Sequence, residues 1–271
     1  MPELPEVETT VNGIKPWLEN KLIAKIAIHN PALRWQIPAN LAQKYRTQKI
    51  VRIGRRAKYI LLHLQSGATI IIHLGMSGSL TVLQEHEPLK KHDHFEMIMD
   101  DGTVLRFNDP RRFGCVLDAQ DYSQHKLIIA LGPEPLHDIF DGKYLKNKAK
   151  NKTQAVKNFI MDGKIVVGVG NIYASEALFR AKIHPNKAAG KVSLTQYKIL
   201  ATAIKEVLSK AIKAGGTTLK DFTNANGNPG YFAQELTVYG RKDQACDNCA
   251  NPIKQMTIGQ RSTFYCSNCQ K

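Results

Sequence analysis

Four of the five cysteines fall in two pairs of one spacing, Cys246-x2-Cys249 and Cys266-x2-Cys269, with sixteen residues between the pairs. Each pair can place two thiolates on one turn, and two such turns on a hairpin make a tetrahedral zinc site. The alternative is two disulfides. The acidic, mixed start of the chain does not read as a secretory signal, and a reducing cytosol argues against them. Four cysteine ligands leave no open position, so the expected metal is one structural Zn2+ ion. Cys115 stands alone and reads as a small core residue.

A second constellation opens the chain, MPELPEVETT. Removal of the initiator methionine before a residue as small as proline would leave a secondary amine at Pro2. An α-amino group titrates near pH ~8, against about 10.4 for a lysine side chain, so a useful fraction is unprotonated at neutral pH. Such an amine attacking a sugar C1′ forms a charged iminium. Glu3 and Glu6 are close enough in sequence to supply acid–base chemistry. The same residues equally suit the first turn of a helix, where proline fixes φ and carboxylates favour the dipole.

Charge points to the partner. Lys and Arg number 38 against 23 Asp and Glu, a formal charge of +15. From Asn20 to Gln84 there is no acid, yet Lys21, Lys25, Arg34, Lys44, Arg46, Lys49, Arg52, Arg55, Arg56 and Lys58 fall there. A second acid-free basic run spans Lys143 to Lys157. Ordinary solvated surfaces intersperse both signs, so blocks this long favour a polyanion, nucleic acid ahead of an anionic membrane. Hydrophobic residues make up 43%, which excludes a disordered chain. No apolar run approaches the roughly eighteen residues of a membrane span. A soluble cytoplasmic protein is expected.

The elements that must position these groups change character along the chain. Val7, Val11, Ile14 and Leu18 recur at helical spacing and predict a helix over 5–18. Short β-type runs follow at 23–28, 50–53, 59–64, 69–74, 95–99, 104–108 and 114–118, separated by turns such as Ser66-Gly67 and Asp101-Gly102. Many short strands with short gaps predict a two-sheet sandwich or barrel. Beyond residue 120 the pattern predicts helices over 122–131, 153–161, 172–181 and 194–212, with LGPEPL at 131–136 as a hinge. Gly168-Val169-Gly170-Asn171 joins two of these helices. The second would open either as a phosphate site of free backbone N–H groups or as an ordinary Asn cap after a Gly turn. A Gly-, Thr- and Asn-rich loop spans 215–231, and the cysteine hairpin closes the chain. The fold class is α+β: an N-terminal β-sandwich with an N-terminal helix, a helical part and a C-terminal zinc hairpin. Domains are expected at 1–131, 132–236 and 237–271.

Several longer motifs stand in one order: PELPEVET at 2–9, RRAKYI at 55–60, HLGMSGSL at 73–80, KHDH at 91–94, DPRRFG at 109–114, LGPEPL at 131–136, GVGNIYASEALF at 168–179 and PGYFAQELTVYGR at 229–241. With the four-cysteine finger they resemble the formamidopyrimidine-DNA glycosylase family over essentially the whole chain. The resemblance implies a helix–two-turn–helix domain in the middle, and a bifunctional base-excision enzyme that removes oxidised purines and then cuts the strand. It implies that Pro2 is the nucleophile, Glu3 the proton donor that helps open the sugar, and Glu6 its support. Lys58 is implied as the proton donor paired with β-elimination and Arg261 as the donor for δ-elimination. Met76, Arg111 and Phe113 match the family's intercalating trio, and Lys152, Lys157, Asn171 and His92 match its backbone contacts. The loop 215–231 resembles the segment that folds over a flipped base.

The partner so implied is damaged double-stranded DNA, met by a monomer in a bacterial cytosol, with no membrane involved. The endonuclease VIII branch, which acts on oxidised pyrimidines, shares Pro2 and Glu3. Its members commonly carry Gly where this chain has Leu4, and they lack the Met, Arg, Phe trio, so this chain falls on the purine side. A non-enzymatic damaged-DNA binder and an RNA-binding translation factor are the remaining alternatives. The acid pair beside Pro2 argues against the first. The lack of any RNA-recognition aromatic platform argues against the second.

Overall fold

The computed structural model describes residues 2–85, 87–216 and 235–271. Apart from Gly215 and Gly216, the loop expected over 215–231 lies outside the described residues, as does Met1. The chain forms two compact units. The first takes the residues up to Ile129 with Gly215 and Gly216; the second takes Ala130–Ala214 and the described residues from Glu235 onward.

The first unit begins with α1 (Leu4–Leu18), whose Val7, Val11, Ile14 and Leu18 are buried as their spacing requires. Strands β1 (Ile23–Ile28), β2 (Ile50–Arg56), β3 (Tyr59–Leu64), β4 (Thr69–His73), β5 (Ser79–Leu83), β6 (Asp93–Met99), β7 (Val104–Asn108) and β8 (Cys115–Ala119) follow, with a short α2 (Leu41–Tyr45) between the first two. They form two four-stranded sheets, ordered β1-β6-β7-β5 and β2-β3-β4-β8. Their pairings are antiparallel. The sandwich expected from the strand spacing is therefore present. Its core joins Ile60, Leu62, Ile70, Ile72 and Val116 with Ile26, Phe95, Met97, Leu105 and Phe107, and with the apolar face of α1.

The second unit holds α3 (Gly142–Lys148), α4 (Val156–Met161), α5 (Asn171–Arg180), α6 (Leu194–Lys213) and a hairpin of β9 (Lys254–Ile258) and β10 (Arg261–Tyr265). Its core is built from Phe159, Tyr173, Leu178, Tyr197, Leu200 and Ile204.

The sequence expectations differ from the structure in several places. The helix expected over 122–131 is a single 3-10 turn, Tyr122–Gln124, capped by Asp121 and ended by an extended His125; of the apolar residues there only Ile128 is buried. Strand β5 pairs with β7 alone and fully buries only Leu80, so its alternation is weak. Helix α3 lies in a basic run, buries little besides Leu145, and starts where Asp141 accepts the Tyr144 N–H. Finally, Gly170 rather than Asn171 is the N-cap of α5, and Asn171 is its first helical residue.

Candidate active site and nucleic-acid interface

In the first unit Pro2 and Glu3 are buried at the head of α1. Glu3 and Glu6 form a reciprocal capping box, in which Glu6 Oε2 accepts the Glu3 N–H at 2.8 Å. Gly216 comes against Glu6; a Cβ there would lie 3.3 Å from the Glu6 carboxylate.

Lys58 occupies a two-residue turn with Ala57, between the paired Arg56 and Tyr59 that end β2 and begin β3. Ala57 is in the left-handed region at φ 55. Across the sheet Tyr59 faces His73, the last residue of β4, with ring centroids 5.0 Å apart. His73 Nδ1 accepts the Gly75 N–H at 3.0 Å, so a neutral ring carries its proton on Nε2. Burial first, then the charges of Lys58 and Arg34, push its pKa down to about 4 against a smaller opposing pull from Asp109. His73 is therefore a neutral donor at physiological pH.

The turn after His73 carries Met76, and the loop after β7 carries Arg111 and Phe113. Gly75 lets the two backbones touch: at φ 65, a Cβ would lie 2.4 Å from the Phe113 carbonyl carbon. Asp109, wholly buried, holds both loops. Its carboxylate accepts Ser77 Oγ at 2.7 Å and the Gly114 N–H at 2.8 Å. Its N–H donates to the His92 carbonyl at 3.1 Å, which fixes the turn bearing His92. Met76 is 37% and Phe113 43% exposed, and the Arg111 guanidinium lies 5.0 Å from the Phe113 ring centre. All three line one cavity of about 750 Å3. Large apolar side chains presented on rigid loops suit insertion between bases better than core packing.

In the second unit Lys157 is fully buried. Its Nζ donates to Asn171 Oδ1 at 2.7 Å, Thr263 Oγ1 at 2.7 Å and the Ser262 carbonyl at 3.3 Å. Asn171 Nδ2 reaches the same carbonyl at 3.0 Å. Lys157 thus fastens the start of α5 to β10. Lys152 is exposed, in the turn between α3 and α4. Glu176 on α5 accepts the backbone N–H groups of Thr237, Val238 and Tyr239 at 2.9, 3.0 and 2.8 Å. Sequence reasoning passed over Glu176 although it lies in GVGNIYASEALF, because an acid inside a helix reads as a solvated face.

The hairpin turns at Gly259 and Gln260, both left-handed at φ 55 and 62, which matches the I′ turn that joins twisted strands tightly. Arg261, exposed, follows directly opposite Ile258. The finger therefore ends in a basic tip. A Cβ on Gly259 would lie 2.7 Å from the Asn158 amide, so the tip seats closely on α4.

The four sulfurs of Cys246, Cys249, Cys266 and Cys269 lie within 4.8 Å of one another. Two pairs measure 3.9 and 3.5 Å. A tetrahedron with Zn–S near 2.3 Å has S···S near ~3.8 Å, so the donors fit one zinc ion, held structurally.

Residues 1–116 match the formamidopyrimidine-DNA glycosylase N-terminal domain, residues 131–223 the formamidopyrimidine-DNA glycosylase H2TH domain, and residues 243–271 a zinc finger found in FPG and IleRS. The chain belongs to the formamidopyrimidine-DNA glycosylase family. A formamidopyrimidine-DNA glycosylase of Marinobacter nauticus is 53% identical over 271 residues, 100% of both chains. The crystal structure of MutM (FPG) protein from Thermus thermophilus is similar with a TM-score of 0.88 at 33% identity, covering 99% of this chain and 98% of that one. Wild-type Lactococcus lactis Fpg (MutM), in complex with a DNA containing N7-benzyl-Fapy-dG, is similar with a TM-score of 0.92 at 31% identity over 100% of both chains. Family membership accounts for the joint presence of the proline head, the loops bearing Met76, Arg111 and Phe113, and the finger on one chain. Among the described residues no helix is long and apolar enough to cross a membrane.

Proposed function

We propose that this chain excises oxidised purines, 8-oxoguanine and formamidopyrimidines, from duplex DNA and then cuts the strand at the abasic site. The Pro2 nitrogen lone pair attacks C1′ of the extruded nucleotide. The glycosidic bond breaks and its electrons leave with the base. Glu3 delivers a proton to the ring oxygen as the sugar opens, leaving an iminium between Pro2 and C1′, and Glu6 holds Glu3 in place. Loss of a C2′ proton then expels the 3′ phosphate, with Lys58 as the proton donor of that step. A second elimination expels the 5′ phosphate with Arg261 as donor.

Extrusion costs a few kcal/mol of stacking and pairing. Met76 and Phe113 fill the gap, and Arg111 hydrogen-bonds the orphaned base. His92, Lys152 and Asn171 meet backbone phosphates, and Lys157 sets Asn171. The division 1–131, 132–236 and 237–271 separates chemistry, helical DNA grip and finger. A monomer suffices, since one duplex is bent by one enzyme, and the bacterial cytoplasm is its place of work.

The observation that carries this reading is the exposed Met76–Arg111–Phe113 cavity in the same compact unit as the buried Pro2 and Glu3. Borohydride should trap a covalent complex on 8-oxoguanine duplex, and Pro2→Gly should abolish it. An untrapped wild-type enzyme that still binds the lesion would instead be a damage sensor.

A further inference from the structure

The cavity that carries the wedge residues is also lined by Ala32, Leu33 and Arg34. These belong to the loop between β1 and α2, which is firmly built. His29 and Asn30 N–H groups donate to the His94 carbonyl at 2.9 and 3.2 Å, and the Leu33 and Ile37 N–H groups to the Pro31 carbonyl at 2.9 and 3.0 Å. Leu33 and Ile37 anchor the loop in the core. Arg34 between them is exposed. Its side chain lines the cavity together with His73, Gly75 and the wedge residues. Among the described residues Arg34 has no hydrogen bond and no ion pair. None of the residues that line the cavity is an acid, and Asp109, which holds the wedge loops, is buried with both carboxylate oxygens engaged by Ser77 and Gly114.

A pre-positioned guanidinium that no acid among the described residues satisfies, on the rim of a cavity meant for DNA, is a binding group awaiting an anion. We infer that Arg34 grips a backbone phosphodiester beside the wedge, bidentately through its planar fork. This rests on the proposed function. If Met76 and Phe113 occupy the base stack, the rim beside them faces the sugar-phosphate backbone rather than a base edge. The contact anchors the duplex while the wedge seats, and it adds a residue to the DNA-binding set that no motif match supplied.

The test is binding of wild type, Arg34→Lys and Arg34→Ala to a duplex carrying a tetrahydrofuran abasic analogue, from 50 to 200 mM salt. Each phosphate contact contributes about 0.9 to the slope of log affinity against log salt. Arg34→Ala should lower that slope by about one, and Arg34→Lys should retain it. A scan of single neutral methylphosphonates along both strands should find one linkage whose neutralisation weakens wild type but not Arg34→Ala. Melting temperatures of both variants should equal wild type. An unchanged slope in Arg34→Ala, additive losses at every linkage, or an altered opposite-base preference in place of a slope change would overturn the inference. Borohydride trapping by wild type separates this outcome from failure of the functional reading, which predicts a trap whatever Arg34 does.

Discussion

Arg55 and Glu8 fasten the helix that follows Pro2 and Glu3 to the turn that carries Lys58. Arg55 Nε donates to Glu8 Oε2 at 2.5 Å, and its Nη1 donates to the Ala57 carbonyl at 2.8 Å. Further along the helix, Glu19 Oε1 accepts the Ile53 N–H of the same strand at 2.6 Å. Helix α1 is thus tied to β2 at two points, so the helix behind the proposed nucleophile and the proposed proton donor's turn move as one piece.

Arg55→Gln and Glu8→Gln should each slow single-turnover excision of 8-oxoguanine at saturating DNA by roughly 10–100-fold, the cost of about 1 Å of misplacement. Residues joined in one contact couple, so the double variant should be little slower than the worse single. Additive losses, or a change in KM alone, would show that the pair does not act through the geometry of α1 and Lys58.

Lys157→Met keeps the bulk of the buried side chain but strands the Asn171 and Thr263 oxygens. Leaving such groups unsatisfied costs on the order of 1–3 kcal/mol. Thermal unfolding should show that loss, together with weaker DNA binding, because Asn171 and the β10 backbone lose their common fastening. A variant as stable and as tightly binding as wild type would mean that the finger holds its place without Lys157.

Much of this was legible in the sequence because the relevant signals are local. The spacing of Val7, Val11, Ile14 and Leu18 gave α1 to within one residue at its start, and the runs 59–64 and 104–108 are β3 and β7 to the residue. The cysteine spacing located the metal site. Contacts that depend on the fold were not legible. Arg34 read as one cation among ten in an acid-free block, and only the loop pinned to His94 sets it over the cavity. His73 lay in a quoted motif, but its burial comes from pairing with Tyr59 and Cys115 on two other strands. Lys157 was expected among the DNA backbone contacts, matching the family's motif, and the structure buries it. Its burial comes from β10, a hundred residues on, which no local pattern encodes.

Acid should weaken the first unit partly through His73. Its folded pKa, about 4, lies below the ~6.5 of an unfolded histidine, so the unfolded chain takes up the proton first. The stabilisation is whole above about pH 6.5 and is lost as pH falls toward 4; its scale is at most about 3 kcal/mol. Urea unfolding should therefore lose more stability between pH 7 and 4.5 in wild type than in His73→Gln. Equal losses would remove His73 as the acid-sensitive group.

Chelation should separate the two units. The finger's own cluster is little more than Val238, Cys246, Ile253 and Cys266 against Phe179, too small to fold without its ion. Both tryptophans, Trp17 and Trp35, lie in the first unit. A chelator should abolish DNA binding and cleavage while tryptophan emission and its melting transition stay unchanged. Activity in a sample shown to be free of zinc would contradict a structural role for the metal.

The central claim is that the nitrogen of a processed Pro2 bonds the sugar. Borohydride trapping on 8-oxoguanine duplex, followed by proteolysis and mass spectrometry of the adduct, tests it directly. The account predicts a deoxyribose remnant on a peptide that begins at Pro2, with no Met1. An adduct on a lysine, or a chain retaining Met1 that is trapped and cleaves as fast as the processed one, would contradict it.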